Sequence, residues 1–408
     1  MRRTKGITEF LIGNYYLLII TLYMFAMIYR SMRVGVYASF FMCLILGGLM
    51  LKGRAGMTIR ETDVYVLLFL LYSVISAMAY FVNNIPVSVF ISAASNALLP
   101  IVFYVSGRKG IQFKRSSFYF ALDICCLIGI FLLIIKPEWY VTYCKGRGIS
   151  YTRLSSGLGS VAIGTLSTIA LIYTISDMIE SRGEKGKLQY IFSMAFVFLS
   201  MQRSAWAVGI LSVFVMHYYV FFKWHAVRKK YLLIELPAIP CGLFMFRRPI
   251  INMVRRWMME KASHGNLGMI SSRSSQWING LESSNWIIGS GFGTRGQKAM
   301  QFVKVFIGDG GWAVLLCEVG IIGLIIFAII MAKVIKKGMY SFKKLYVPML
   351  IILLFFLQAI GSNVFMFQLL VPFFWMSVGE IVGFNKKDIR KESLNESTCI
   401  LSPTVSRN

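Results

Sequence analysis

A chain of 408 residues is long enough for two or three soluble domains, but 57% of it is hydrophobic, and that share excludes an ordinary globular fold. The formal charge of +26 would suit nucleic acid, yet the basic residues sit in short clusters between apolar runs and no RNA- or DNA-binding module is visible. The expected surroundings are therefore a lipid bilayer, not nucleic acid.

Apolar runs near the length of a bilayer crossing recur from end to end, for example YVLLFLLYSVISAMAYFV from Tyr65 and GWAVLLCEVGIIGLIIFAIIMA from Gly311. About twelve such segments are expected. In the first half they fall near 9–29, 34–51, 63–82, 86–106, 117–135 and 157–178. In the second half they fall near 188–202, 204–222, 231–246, 309–332, 345–362 and 364–383. No cleavable signal is expected, since the first segment is long and lacks a small-residue cleavage site. This divides the chain into a membrane bundle of about nine spans over 1–246, an extracytoplasmic helical loop over 247–308, about three further spans over 309–383, and a polar tail over 384–408 that reads as disordered.

If the N-terminus is cytoplasmic and every span crosses, that side receives KGRAGMTIR, GRKGIQFKR, SRGEKGK, FKWHAVRKK, AKVIKKGMYSFKK and NKKDIRK. About 27 Lys and Arg then lie inside and about 16 outside, so the positive-inside rule accounts for most of the charge. The seven cysteines show no CxxC or metal spacing. Acids on the outer side are sparse, with no paired carboxylates or DxD, and neither a metal site nor a cofactor is expected.

The loop over 247–308 holds the sequence IIGSGFGTRGQ, in which Gly291, Gly293 and Gly296 spell GxGxxG. A dinucleotide fold is excluded, because the helix and second strand of a βαβ unit are missing. The glycines read either as a turn returning the loop to the membrane or as backbone N–H groups offered to a phosphate. The loop's cationic surplus, which includes Arg273, Arg295, Lys298 and Lys304, favours the second reading. The stretches INMVRRWMMEK and SRSSQWINGLES carry helix-like spacing, with tryptophans suited to the headgroup level.

Arg203, in LSMQRSAWAVG, and Arg153, in SYTRLSSGLGS, fall at extracytoplasmic span ends, where a guanidinium can grip a phosphate with two parallel hydrogen bonds. Together with Arg273 and Asp309 they occupy one membrane level, on the side where topology does not favour basic residues. Asp309 opens the tenth span, either as its cap or as the acceptor of a proton from an attacking sugar hydroxyl. His264, from the same loop, is a second candidate base. Asp123 and Glu318 fall within spans and must be protonated, paired or cavity-lining.

These features, above all RLSSGLG, QRSAWA, SSRSSQW, IIGSGFG and DGGWAVLLCEVGIIG in that order, resemble the O-antigen ligase and polymerase superfamily, the Wzy and WaaL type proteins of bacterial surface-polysaccharide assembly. The resemblance spans nearly the whole chain. It implies an all-α integral membrane protein of the GT-C-like kind, placed in the bacterial cell membrane with its active site on the extracytoplasmic side. It also implies a metal-independent, inverting glycosyltransferase whose donor is an undecaprenyl-diphosphate-linked oligosaccharide, working with a flippase and a chain-length regulator. By motif position Arg203 and Arg273 would bind donor phosphates, with Arg153 as a third, while the composition of the loop itself adds Arg295, Gly291, Gly293 and His264 as candidate substrate-binding residues. Asp309 stands where ligases of the family carry a His, which favours a polymerase over a ligase.

Overall fold

The computed structural model describes residues 2–28, 33–52, 58–76, 78–82, 85–146, 151–181, 185–218, 247–248, 251, 268–296 and 299–385. Among them the protein is built from helices, with no strand. The N-terminal part runs α1 (Arg2–Gly13), α2 (Tyr15–Ile28), α3 (Arg33–Lys52), α4 (Glu61–Ile75), α5 (Met78–Val82), α6 (Val87–Ala97) and α7 (Val102–Arg108). It continues through α8 (Arg115–Ile135), α9 (Glu138–Gly146), α10 (Ser160–Glu180), α11 (Lys187–Leu199) and α12 (Arg203–His217). The C-terminal part has α13 (Gly268–Glu282), α14 (Gly311–Tyr340), α15 (Phe342–Gly361) and α16 (Val371–Gly383).

Among the described residues six stretches are long and apolar enough to cross a bilayer: Glu61–Tyr80, Val87–Arg108, Arg115–Ile135, Ser160–Glu180, Gly311–Tyr340 and Phe342–Gly361. A seventh forms if Gly6–Gly13 and Tyr15–Met27, bent by 49°, count as one span. The chain is thus of the all-α, multi-pass membrane type, and the expectation of twelve spans is reached only in part. Tyr37–Met50, Lys187–Leu199, Arg203–Phe214 and Val371–Gly383 are apolar but shorter. Thirteen residues of helix rise about 20 Å, against a hydrocarbon core of about 30 Å. The expected ninth span, 231–246, lies outside the described residues.

Two departures from the expected boundaries have local causes. Pro100 removes a backbone donor and divides the fourth span into α6, a 3-10 turn over Leu99–Ile101, and α7. Conversely, α14 runs two turns beyond residue 332, carrying Lys333, Lys336 and Lys337 out of the apolar stretch.

Contacts sort the connections onto two ends of the bundle. At one end Arg108 holds Asp63 with two charge-assisted bonds of 2.9 and 3.0 Å, and Tyr104 donates to the same carboxylate. Arg60 donates to the carbonyls of Val382, Gly383 and Phe384, and Lys337 to that of Val382 at 2.8 Å. Three clusters expected on the cytoplasmic side, those holding Arg60, Arg108 and Lys337, therefore meet at this basic end beside the end of α16. The approach is close because Gly107 and Gly379 lack side chains: a Cβ on Gly379 would lie 2.1 Å from the Tyr104 carbonyl oxygen, and one on Gly107 would lie 2.2 Å from that of Met376. Between the ends, Tyr15, Tyr16, Phe103, Phe113, Phe118 and Phe373 form an aromatic core in which Tyr16 stacks on Phe373 at 4.3 Å.

Candidate functional site

The other end collects the segments that carry Arg153, Arg203, Arg273 and Asp309. The Leu154 N–H donates to the Leu199 carbonyl at 3.0 Å, which ties the Arg153 loop to the junction of α11 and α12. At that junction Gln202, with its amide oriented so that both its nitrogen and its oxygen find partners, donates to the carbonyls of Ser160 and Val161 (3.2 and 3.1 Å) and accepts from Gln358 Nε2 at 2.7 Å. Thr165 Oγ1 donates to Gln358 Oε1 at 2.8 Å, so the start of α10 and the end of α15 share one buried polar band. The Gly311 N–H then reaches the Ser362 carbonyl at 3.1 Å, linking the end of α15 to the start of α14. Arg203 is exposed in the first turn of α12, where the helix dipole adds to its attraction for an anion. Arg153 is half-buried.

Helix α13 docks on the same end. Trp277 Nε1 donates to the Asp309 carbonyl at 2.8 Å, and Gly280 faces Ile307 closely enough that a Cβ would lie 2.7 Å away. Position 273 precedes Trp277 by four residues and so shares its helix face. Asp309 is half-buried and is not the cap of α14: Gly310 occupies that position with φ 109° and no side-chain capping bond forms. His264 lies outside the described residues. The expected stretch INMVRRWMMEK also falls largely outside them, whereas SRSSQWINGLES supplies most of α13.

The glycine-rich loop departs from the exposed-amide reading. Several of its N–H groups point into the protein, and the acceptor they meet is a side chain of this chain. Glu318 Oε1 accepts the N–H groups of Arg295 (3.1 Å) and Gly296 (3.0 Å). The Gly291 N–H donates to the Glu318 carbonyl at 3.0 Å, and that of Phe292 to Ser76 Oγ at 2.9 Å. Tyr80 donates to the Phe292 carbonyl at 2.6 Å and Tyr72 to that of Ile288 at 2.9 Å. The amide of Gly291 is therefore already paired, and Gly291 and Gly293 are both buried.

The loop's seat is a break in α14. Gly320 adopts φ 64° and ψ −174°, which opens the helix and releases the carbonyls of Cys317 and Glu318 to Ser290 and Gly291. The N–H groups of Ile321 and Ile322 turn to the carbonyls of Trp286 and Ile287 at 2.9 and 3.2 Å. A Cβ on Gly320 would lie 2.4 Å from the Ile287 carbonyl oxygen and 2.5 Å from the Gly289 nitrogen. The residue thus serves backbone approach instead of the simple helix packing that small residues in a span suggest.

Arg295 is also spent on the loop itself. Its guanidinium donates to the carbonyls of Val305 (3.1 Å) and Ser283 and to Ser290 Oγ at 3.4 Å. Burial pushes this guanidinium below its ordinary value, with Cys317 and Glu318 opposing. Asp123, the second acid singled out within a span, accepts from Gln189 Nε2 at 3.0 Å. The structure therefore divides the expected site residues: Arg153, Arg203, Asp309 and the helix of Arg273 gather at one end, while Arg295, Gly291 and Gly293 build the loop beneath them.

No family model, no curated protein and no solved structure matches this chain.

Proposed function

We propose that the protein is a polysaccharide polymerase of the cell membrane, joining undecaprenyl-diphosphate-linked oligosaccharide repeat units at the extracytoplasmic face. The observation that supports this reading best is the gathering of the Arg153 loop, the first turn of α12 with Arg203, the α13 face carrying position 273, and Asp309, at the end opposite the basic cluster. Positive charge at that end runs against the topological preference and suits a diphosphate held at headgroup depth.

In the proposed reaction a sugar hydroxyl oxygen of the incoming unit attacks the anomeric carbon of the growing chain. The bond from that carbon to the diphosphate oxygen breaks, the hydroxyl proton passes to the Asp309 carboxylate, and the undecaprenyl diphosphate leaves with the electron pair. Negative charge grows on the leaving group in the transition state, so Arg203 and Arg273 accelerate the step by binding it more tightly as it departs. No divalent metal has a role in this scheme, and turnover is expected to survive a chelator.

A second reading, a transporter for the same lipid-linked sugars, draws on the break in α14 at Gly320, since interrupted helices are common in transporters. Here the chain's own loop fills the break, which favours the enzyme. A ligase moving a finished glycan to another acceptor is the third reading. Reconstitution with synthetic undecaprenyl-diphosphate repeat units separates the three. A polymer ladder is the expected result; a single transfer to a different acceptor would support the ligase, and movement of intact substrate across the bilayer the transporter. Arg203→Ala and Arg273→Ala, correctly inserted, should each lower polymer formation by about a hundredfold or more. Normal ladders from both variants would overturn the phosphate-binding roles.

A further inference from the structure

At the basic end, far from the proposed reaction, a cavity of about 410 Å³ opens between the start of α4 and the end of α14. Glu61, Thr62, Lys333, Lys336, Lys337 and Phe384 line it, beside Tyr340 and Ser341. The charge balance there is uneven. Asp63 is taken by Arg108, and Glu61 by Lys333 at 2.7 Å. Lys337 donates to the Val382 carbonyl, and Lys336 makes no hydrogen bond or ion pair among the described residues. Two of the three lysines lining the opening thus make no ion pair among the described residues.

The cavity's edge is apolar. Ile59 is 82% exposed, and Val64, Leu67, Leu68 and Leu71 continue an exposed apolar stripe up α4 from the same level. A cationic opening bordered by a lipid-facing stripe fits a ligand with an anionic head and hydrocarbon tails. A lone soluble anion would use the lysines and leave the stripe idle.

We propose that this cavity is a binding site for a phosphate-bearing anion, supplied by the headgroup of an anionic phospholipid in the leaflet at the basic end. Lys336 and Lys333 contact the phosphate, and the acyl chains lie along Val64, Leu68 and Leu71 of α4. Lys333 would exchange part of its pairing with Glu61 for the phosphate.

The test uses the full chain in nanodiscs of zwitterionic lipid and a fluorescent short-chain phosphatidylglycerol, followed by anisotropy. The probe should bind saturably and resist displacement by short-chain phosphatidylcholine. Lys336→Gln should weaken it by about fivefold and the Lys333→Gln/Lys336→Gln pair by more, whereas Lys336→Arg should retain it. Because Lys336 is exposed and makes no ion pair among the described residues, its variants leave the fold intact and the comparison stays valid even if the double variant does not insert. Resistance to inorganic phosphate assigns the site to the lipid headgroup. Displacement by inorganic phosphate keeps the phosphate site but overturns the lipid as its source. Equal displacement by phosphatidylcholine, or unchanged affinity in Lys336→Gln, overturns the proposal.

Discussion

Gly320 and Glu318 do related work two residues apart in one helix. Gly320 takes a backbone conformation that costs a residue with a side chain about 1–3 kcal/mol, and the space for a Cβ is already filled by Ile287 and Gly289. Gly320→Ala should therefore expel the loop, with a lower melting temperature and new protease cleavage between Gly289 and Gly296. Glu318 contributes through hydrogen bonding. Glu318→Ala leaves buried amides of Arg295 and Gly296 without an acceptor, at about 1–3 kcal/mol each. Glu318→Gln keeps an acceptor oxygen and should lose roughly half as much or less. Hydrogen exchange at the loop amides distinguishes these cases: fast exchange in Glu318→Ala with slow exchange in Glu318→Gln is expected, and equal protection in both would remove Glu318 as the loop's anchor. None of this pairing was legible in the sequence. The donors are backbone groups, which carry no residue identity, and their acceptor is 22 or 23 positions away. A buried acid near glycines announces only that some partner must exist.

Among the helices, existence was more legible than length. Hydropathy marked α4, α8, α10, α14 and α15, because burial in lipid demands a continuous apolar stretch whatever the neighbours are. It did not mark α9, whose Tyr140, Tyr143 and Cys144 pack against Met27 and Leu132 in a small satellite core that only the folded chain creates. Burial there pushes the Tyr140 hydroxyl up to about 12, with Ser155 as its hydrogen-bonding partner at 3.0 Å. The join of α4 to α7 and α16 rests on Asp63, whose carboxylate accepts from Arg108, Tyr104 and the Arg60 backbone. The Arg108 side chain is 3% exposed, so Asp63→Ala leaves a buried guanidinium without its counter-charge. The expected loss is about 3–5 kcal/mol, read as a lower melting temperature in detergent. Arg108→Met paired with Asp63→Leu removes both charges and should recover much of it. A double variant as unstable as Asp63→Ala alone would show that the pair matters for more than its charge.

Over the whole molecule, charge patterning carried information that hydropathy did not. The basic clusters around residues 58–60, 108 and 333–337 were assigned to one side by alternation of spans, and the folded chain brings them together at the end of α16 through Arg60, Arg108 and Lys337. The four segments expected opposite them likewise meet, through Leu154, Gln202, Ser362 and Trp277. Agreement of this kind fixes which connections share a side, and the positive-inside rule adds which side faces the cytoplasm. Cysteine labelling tests that orientation directly. Cys43, Cys125, Cys126, Cys144 and Cys317 are buried, so a background lacking only Cys241 and Cys399 should react weakly with an aqueous maleimide. In that background Arg203→Cys should be labelled on intact cells by a membrane-impermeant reagent. Lys336→Cys should be labelled only after permeabilisation, because about 30 Å of hydrocarbon separates the two ends. Labelling of both positions from outside would mean that the arginines at one end and the lysines at the other share an aqueous face, and neither a diphosphate site at one end nor a lipid site at the other would then have its membrane level.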